Sequence, residues 1–261
     1  MEIVGINLRY IMSLREFLND KKIIFCGPLF NKDDEFLSEY DVVIRTNNFF
    51  SIEPELRNSS RCDILVCNSI FSKRYSDKIV ENIDEVKYVF CSSLEGAKIL
   101  KENLYSNDIK KVHFFSGGND LRIIKRHPLG LMHLLSYIIN FYKPSLFYID
   151  GIDFYSTKNV SKFWLKGYEI KESATCNVLG KDKIKHDLRS NKEYLIKIMG
   201  KIDYIKISEM VEEALKVDME PIIKKNKPKH KPKPKHKPEH EPETKSKPKK
   251  KKPLPKFKIF D

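Results

Sequence analysis

Short runs of β-branched and aromatic residues alternate along this chain with segments of helical periodicity, and this alternation restricts the fold more than any other feature. It is typical of a largely parallel sheet with crossover helices. Several runs are apolar at nearly every position, as expected for strands covered by helices on both faces. The runs predict strands at residues 22–26, 41–45, 63–67, 86–91, 111–115, 145–149 and 204–207. The periodic segments predict helices at residues 33–38, 73–83, 94–104, 129–142 and 186–199. We therefore expect a single Rossmann-like α/β domain over residues 1–223.

Residues 224–261 have a different composition from the rest of the chain. This segment contains 16 Lys, no Arg and 4 acidic residues, a net charge of +12, whereas residues 1–223 hold 33 basic and 32 acidic residues. Frequent Pro and few apolar side chains predict a disordered, Lys/Pro/His-rich tail. The nearly neutral domain argues against a basic nucleic-acid-binding face. The tail is either a solvated spacer or an arm that attracts an anionic partner.

The composition also bears on compartment and metal binding. The five cysteines are an odd set, which favours a reduced, cytoplasmic location over a disulfide framework. The first 20 residues lack the continuous apolar run of a signal peptide, and no stretch approaches the roughly 18 apolar residues of a membrane span. Neither paired Cys/His ligands at zinc-finger spacing nor a convincing Asp-x-Asp element is present, so we expect no metal.

Polar residues follow the first three predicted strands. Gly27 follows the first, Asn47 the second and Asn68 the third. Ligands of open α/β sheets bind outside the carboxyl ends of the strands, where a glycine allows close approach and a carboxamide can both donate and accept hydrogen bonds. The same residues are also common in tight turns and helix caps. Both interpretations remain open at this point.

Two further segments offer candidate residues. Arg126 and Gly130 stand at the predicted start of helix 129–142, where free N–H groups suit a phosphate or carboxylate; a plain Pro/Gly helix start explains the pattern equally well. The strand at 145–149 leads into Asp-Gly-Ile-Asp-Phe-Tyr, of which we expect Asp153 to accept backbone N–H bonds. His186 precedes the last predicted helix and suits a general base, whereas His113 and His133 are expected to be core groups.

Taken in order, these segments resemble the bacterial lipooligosaccharide sialyltransferases and, more distantly, the eukaryotic sialyltransferases. The resemblance rests on KKIIFCGPLF, YDVVIRTNNF, CDILVCNSIF, RHPLGLMHLLSYIINFYKPSLFYIDGIDFY and KHDLRSNKEYL, which span about residues 21–200 in the family's order and spacing. It implies a sialyltransferase-like glycosyltransferase fold. The implied activity is inverting, metal-independent transfer of an acidic sugar from a CMP donor to a glycan hydroxyl, without a further cofactor.

The resemblance also implies roles for individual residues. Asn47 and Asn68 would contact the nucleotide and the donor sugar. Gly27, in the turn after the first strand, would lie at the same binding site. Gly130 would lie against the sugar or phosphate, with Arg126 nearby. By the same resemblance, Tyr155 would stabilise the departing phosphate, and His186 would deprotonate the acceptor hydroxyl.

A different class of function competes with this enzyme hypothesis. The first turn reads Cys-Gly-Pro-Leu where the family has Gly-Asn-Gly-Pro-Ser, and Leu129 stands where the family has a small hydroxyl residue. These departures favour a degenerate nucleotide-binding or scaffold protein that its basic tail tethers to anionic partners. A third hypothesis makes the tail itself the functional part, as an arm that binds nucleic acid or an anionic membrane.

Overall fold

The computed structural model describes residues 14–47, 49–52, 54–125, 128–154 and 187–217, all of which belong to the predicted domain. Seven parallel strands form one sheet in the order β5-β4-β3-β2-β1-β6-β7. In chain order they are β1 (Lys22–Cys26), β2 (Val42–Thr46), β3 (Ile64–Cys67), β4 (Tyr88–Cys91), β5 (Val112–Phe114), β6 (Leu146–Asp150) and β7 (Ile205–Ile207). The predicted Rossmann-like α/β fold is confirmed, and every predicted strand is found close to its expected position. The described strands are all parallel.

Seven α-helices connect and flank these strands in the described part of the chain. They are α1 (Asp34–Leu37), α2 (Ser69–Arg74), α3 (Ser76–Glu81), α4 (Leu94–Glu102), α5 (Gly130–Phe141), α6 (Leu188–Met199) and α7 (Glu209–Lys216), and residues 14–18 are also helical. None of these helices is both long and apolar enough to cross a membrane.

Two helix predictions need correction. The single helix predicted at 73–83 is the pair α2 and α3, because Tyr75 leaves the helical conformation (φ −122°, ψ 23°) while packing on the core. The chain after β7 was not predicted to be helical, yet it forms α7. There the Ser208 side chain accepts a hydrogen bond from the Val211 amide, and the buried Val211 and Ala214 form the inner face.

Side chains of successive strand residues point to opposite faces of the sheet, which divides the core into two layers. Ile23 and Phe25 pack in the cluster that contains the buried residues of α5, α6 and α7. Ile24 and Cys26 pack in a separate cluster that contains Leu37 of α1. The buried residues of β3, β4 and β5 on that second face pack with α3 and α4. Helices therefore cover both faces, which explains why the strands are apolar throughout.

The described cysteines are packing groups of this core. Cys26, Cys62, Cys67 and Cys91 are buried free thiols. Burial raises the pKa of Cys26 to about 12, and burial likewise raises the pKa of Cys62. Because the thiolate is the reactive form, neither of these two residues suits a nucleophile near neutral pH.

His113 of β5 has the predicted core environment. Its Nε2–H donates a 2.7 Å hydrogen bond to the Lys110 carbonyl oxygen, and its ring packs edge-on against Tyr88 and Phe90 at 5.7 and 5.9 Å between centroids. Burial lowers the pKa of His113 from its ordinary value of 6.5 to about 4. The folded protein therefore holds this imidazole neutral over a range in which the unfolded chain protonates it.

This shift predicts a pH-dependent stability. Between pH 6.5 and about 4 the unfolded state binds more protons at His113 than the folded state does. The contribution of His113 to stability is therefore complete above pH 6.5 and is lost as the pH falls. We expect His113→Phe to remove on the order of 1 kcal/mol of the stability loss between pH 7 and pH 5. Urea denaturation of both proteins at the two pH values measures this difference. An equal pH dependence in the two proteins would contradict the assignment, whatever the absolute stability of the variant.

Candidate functional site

The direction in which the sheet grows reverses beside β1. The chain adds β2, β3, β4 and β5 on one side of β1 and then adds β6 and β7 on the other side. In open α/β sheets, ligands bind outside the carboxyl ends of the strands at such a reversal. The loops that follow β1 and β6 therefore lie where sheets of this kind bind their ligands.

Two glycines pack these loops together backbone to backbone. The Gly27 amide donates to the Asp150 carbonyl oxygen at 2.8 Å, and the Leu29 amide donates to the Gly151 carbonyl oxygen at 2.9 Å. A Cβ atom on Gly27 would lie 2.4 Å from the Gly151 oxygen, and one on Gly151, where φ is +73°, would lie 2.3 Å from the Phe30 nitrogen. Glycine at 27 thus has a structural reason, and its predicted contact with a ligand stays a prediction.

Asp150 fixes the end of β6. Asp150 is 4% exposed, and its Oδ1 accepts a 2.6 Å hydrogen bond from the Gly151 amide. The sequence predicts the same role for Asp153 in this segment, and that expectation stays a prediction. Asp150 makes a bond of this kind to the loop backbone.

Asn47 and Asn68 lie at the same edge of the sheet. Asn47 has a left-handed backbone (φ 52°), and its amide donates to the Val66 carbonyl oxygen at 2.7 Å. Its half-exposed side chain makes no hydrogen bond with a described residue. The Asn68 carbonyl oxygen accepts bonds from the Ser72 amide and hydroxyl, both at 2.9 Å, at the start of α2. Turn chemistry therefore accounts for both backbones and leaves the Asn47 carboxamide available to a ligand.

Arg45 of β2 connects the loops around these residues. It is 6% exposed, and its guanidinium lies over the Phe30 and Phe49 rings at 4.8 and 4.9 Å. Its Nε donates to the Arg61 carbonyl oxygen at 3.2 Å, and its Nη2 donates to the Ser59 hydroxyl. Because these partners come from the loops after β1 and β2, Arg45 fixes the two loops relative to each other.

The start of α5 also lies at this edge, and it is tied to the start of α6. Asn191 is fully buried; its Oδ1 accepts a 2.9 Å bond from the Leu129 amide, and its Nδ2 donates a 2.6 Å bond to the Asp187 carbonyl oxygen. A Cβ on Gly130 would have no heavy atom within 4 Å. Open space therefore adjoins the first residue of α5, close to the residue that follows His186.

A cavity of about 470 Å³ opens beside this junction. Gly117 and Gly118 form one wall after β5, Pro128 and His133 form another at the start of α5, and Arg122 supplies a cationic side chain. The sequence pattern did not indicate this cavity, because its walls come from a glycine pair and a short 3-10 segment (Asn119–Ile123) that carry no periodic signal.

A buried hydrogen-bond network holds the cavity wall in place. Asp120 accepts bonds from the Tyr194 hydroxyl at 2.5 Å and the Ser136 hydroxyl at 2.7 Å, while the Ser136 oxygen accepts a bond from the Gly118 amide at 2.7 Å. Burial opposes ionisation of Asp120, but the bonds from Tyr194, Ser136 and Asn140 outweigh it and lower the pKa of this carboxyl group. The network joins the glycine loop, α5 and α6 through one ionised carboxylate.

Three predicted site residues, Arg126, Tyr155 and His186, lie outside the described residues. Gly27, Asn47 and Asn68 follow three neighbouring strands, and Gly130 begins α5 beside the cavity. In the described ranges there is no group of three or more His, Cys, Asp or Glu side chains that could hold a metal ion.

Comparison with known proteins gives no assignment. No protein-family model matches the chain, and no curated protein sequence matches it significantly.

An added methyl group should have different effects on stability at Gly27 and at Gly130. Gly27→Ala forces the Cβ atom against the Gly151 backbone, and we expect a loss of about 1–3 kcal/mol in the free energy of unfolding. Gly130→Ala enters open space on a helix, so stability should stay unchanged or rise by up to about 1 kcal/mol. Urea denaturation of the two variants beside the unsubstituted protein measures both effects. Equal stability of Gly27→Ala and the parent would show that the loop contact does not constrain the fold.

Proposed function

We propose that this chain is an inverting, metal-independent glycosyltransferase that transfers sialic acid or a related acidic sugar from a CMP donor to a glycan hydroxyl. The proposal joins the ordered set of sequence segments with the arrangement of the described strand ends. Its coarser part, a Rossmann-like sheet with polar residues at the carboxyl edge, is the fold described above.

The Asn191 link is the observation that carries the proposal. It connects the amide before Gly130 to the carbonyl of Asp187, the residue directly after His186. Two segments that are far apart in sequence, one expected to bind the donor and one expected to supply the base, thereby meet.

The remaining groups fit a nucleotide sugar in chemical type. The Asn47 carboxamide suits the hydroxyls and ring atoms of a nucleoside, because it both donates and accepts hydrogen bonds. The open start of α5 suits a phosphate, which free N–H groups and the helix dipole both favour, and Arg126 adds a cation to the same segment.

In this proposal the transfer is a single displacement. His186 takes the proton of the acceptor hydroxyl, and that oxygen attacks the anomeric carbon of the donor sugar. The bond between the anomeric carbon and the phosphate oxygen breaks, and CMP leaves with the electron pair. Tyr155 donates a hydrogen bond to the departing phosphate and stabilises its developing charge.

One observation favours the second candidate, a nucleotide-binding protein without catalysis. Leu129 has no hydroxyl group, and its amide is already bonded to Asn191. The start of α5 therefore offers a donor fewer contacts there than a serine or threonine would. Under this alternative, CMP and a CMP-linked sugar bind, but the sugar is not transferred to an acceptor and no CMP is released.

Two measurements test the proposal. Calorimetric titration of the full chain with CMP, UDP and GDP should give selective CMP binding. His186→Ala should lower CMP release from CMP–sialic acid, in the presence of a glycan panel, by roughly 10²–10⁴-fold. Its affinity for CMP should stay within about twofold, because general-base catalysis acts mainly on the transition state.

His236→Ala, a matched substitution in the Lys/Pro tail, is the control and should leave both quantities unchanged. Full activity of His186→Ala would remove the assigned mechanism. CMP binding without any turnover of donor in the parent protein would favour the non-catalytic alternative. Binding to none of the nucleotides would reject the enzyme and favour a degenerate scaffold protein. Selectivity for UDP or GDP would keep the enzyme class and reject the CMP donor.

A further inference from the structure

The cavity beside α5 has an unbalanced charge. Arg122 is the cationic side chain on its described wall, and the described lining includes no carboxylate. Leu121, Ile124 and Pro128 supply apolar surface around it. An anionic group that enters this cavity meets a cation without first meeting a like charge.

The neighbouring carboxylate does not neutralise Arg122. Asp120 is two residues away, but its oxygens accept hydrogen bonds from Tyr194, Ser136 and Asn140. Within the described ranges Arg122 takes part in no ion pair or hydrogen bond, and it is exposed. The network around Asp120 therefore engages its carboxylate oxygens, and the guanidinium of Arg122 lines the cavity without a described partner.

We infer that Arg122 binds the carboxylate of the transferred sugar and that this cavity holds the sugar ring of the donor. The inference rests on the proposed function and names the group that selects an acidic sugar. A guanidinium matches a carboxylate with two parallel N–H bonds, a geometry that a phosphate shares but a neutral sugar does not offer. The cavity is open to solvent and has a volume of about 470 Å³, and its apolar wall suits the C–H face of a sugar ring.

The position of the cavity agrees with this assignment. Pro128 and His133 line it from the start of α5, and the Lys125 amide donates to the Ser190 hydroxyl of α6 at 3.3 Å. The cavity thus adjoins the junction at which Asp187, next to His186, meets Leu129. A sugar held there adjoins the starts of α5 and α6.

Titration of the full chain with CMP and with CMP–sialic acid separates the two parts of the donor. Arg122→Gln should weaken CMP–sialic acid binding at least tenfold and change CMP affinity less than twofold. Arg122→Lys, which keeps the charge and loses the planar fork, should give an intermediate loss for the donor. Lys125→Gln removes an exposed cation that does not line the cavity, so it is the matched control and should leave both affinities unchanged. Thermal melts of all four proteins verify that each variant is folded.

The outcomes distinguish this inference from the proposed function. Equal affinity of the parent and Arg122→Gln for CMP–sialic acid overturns the role of Arg122. If the parent still binds CMP in that case, the proposed function stands. An equal loss for CMP and CMP–sialic acid assigns Arg122 to the phosphate and also overturns the inference. Failure of the parent protein to bind either compound overturns the proposed function and the inference together.

Discussion

The reversal of sheet growth beside β1 is the constraint on which the rest of the structure depends. Parallel crossovers are right-handed, so the connections that build β1 to β5 place their helices on one face. The return to β6 must then place α5 on the opposite face, where it covers Ile23 and Phe25. The crossover helix that precedes a parallel strand runs back along the sheet, so the helix itself begins at the carboxyl edge. The start of α5 and the loops after β1, β2 and β3 therefore share one edge as a result of topology.

Buried polar groups give this edge a defined shape. Arg45 is a buried charge and Asp120 a partly buried one, and each is surrounded by partners from separate segments. Burial of a charge is unfavourable unless hydrogen bonds satisfy it, so each segment is held in the position that satisfies the charge. In this way two charged residues that do not belong to the candidate site order the loops that do. The same logic explains Asn191, which is fully buried and bonds to both α5 and the start of α6.

The part of this structure that the sequence predicts is the part with a local pattern. The sequence predicts the strands because runs such as Ile64–Cys67 are apolar at every position. Asn47 and Asn68 directly follow two of these parallel strands, which predicts that both lie at one edge of the sheet. The sequence predicts that Gly27 lets a ligand approach the backbone. Only the structure reveals that a Cβ atom on Gly27 would collide with the Gly151 carbonyl oxygen. The bonds from Tyr194 to Asp120 and from Leu129 to Asn191 join residues 74 and 62 positions apart, and no periodicity marks them. The cavity follows from those long-range bonds and so was not predictable either.

The charge of this protein is unevenly distributed along the chain. Residues 224–261 hold a net charge of +12. The domain has 33 basic and 32 acidic residues, so its summed field gives an anion little general attraction. Discrimination between an acidic and a neutral ligand must then come from short-range contacts. In the proposal Arg122 meets this requirement, because it lines the cavity while the oxygens of Asp120, two residues away, accept bonds from Ser136 and Tyr194. Local hydrogen bonding, and not net charge, decides which charge a ligand encounters.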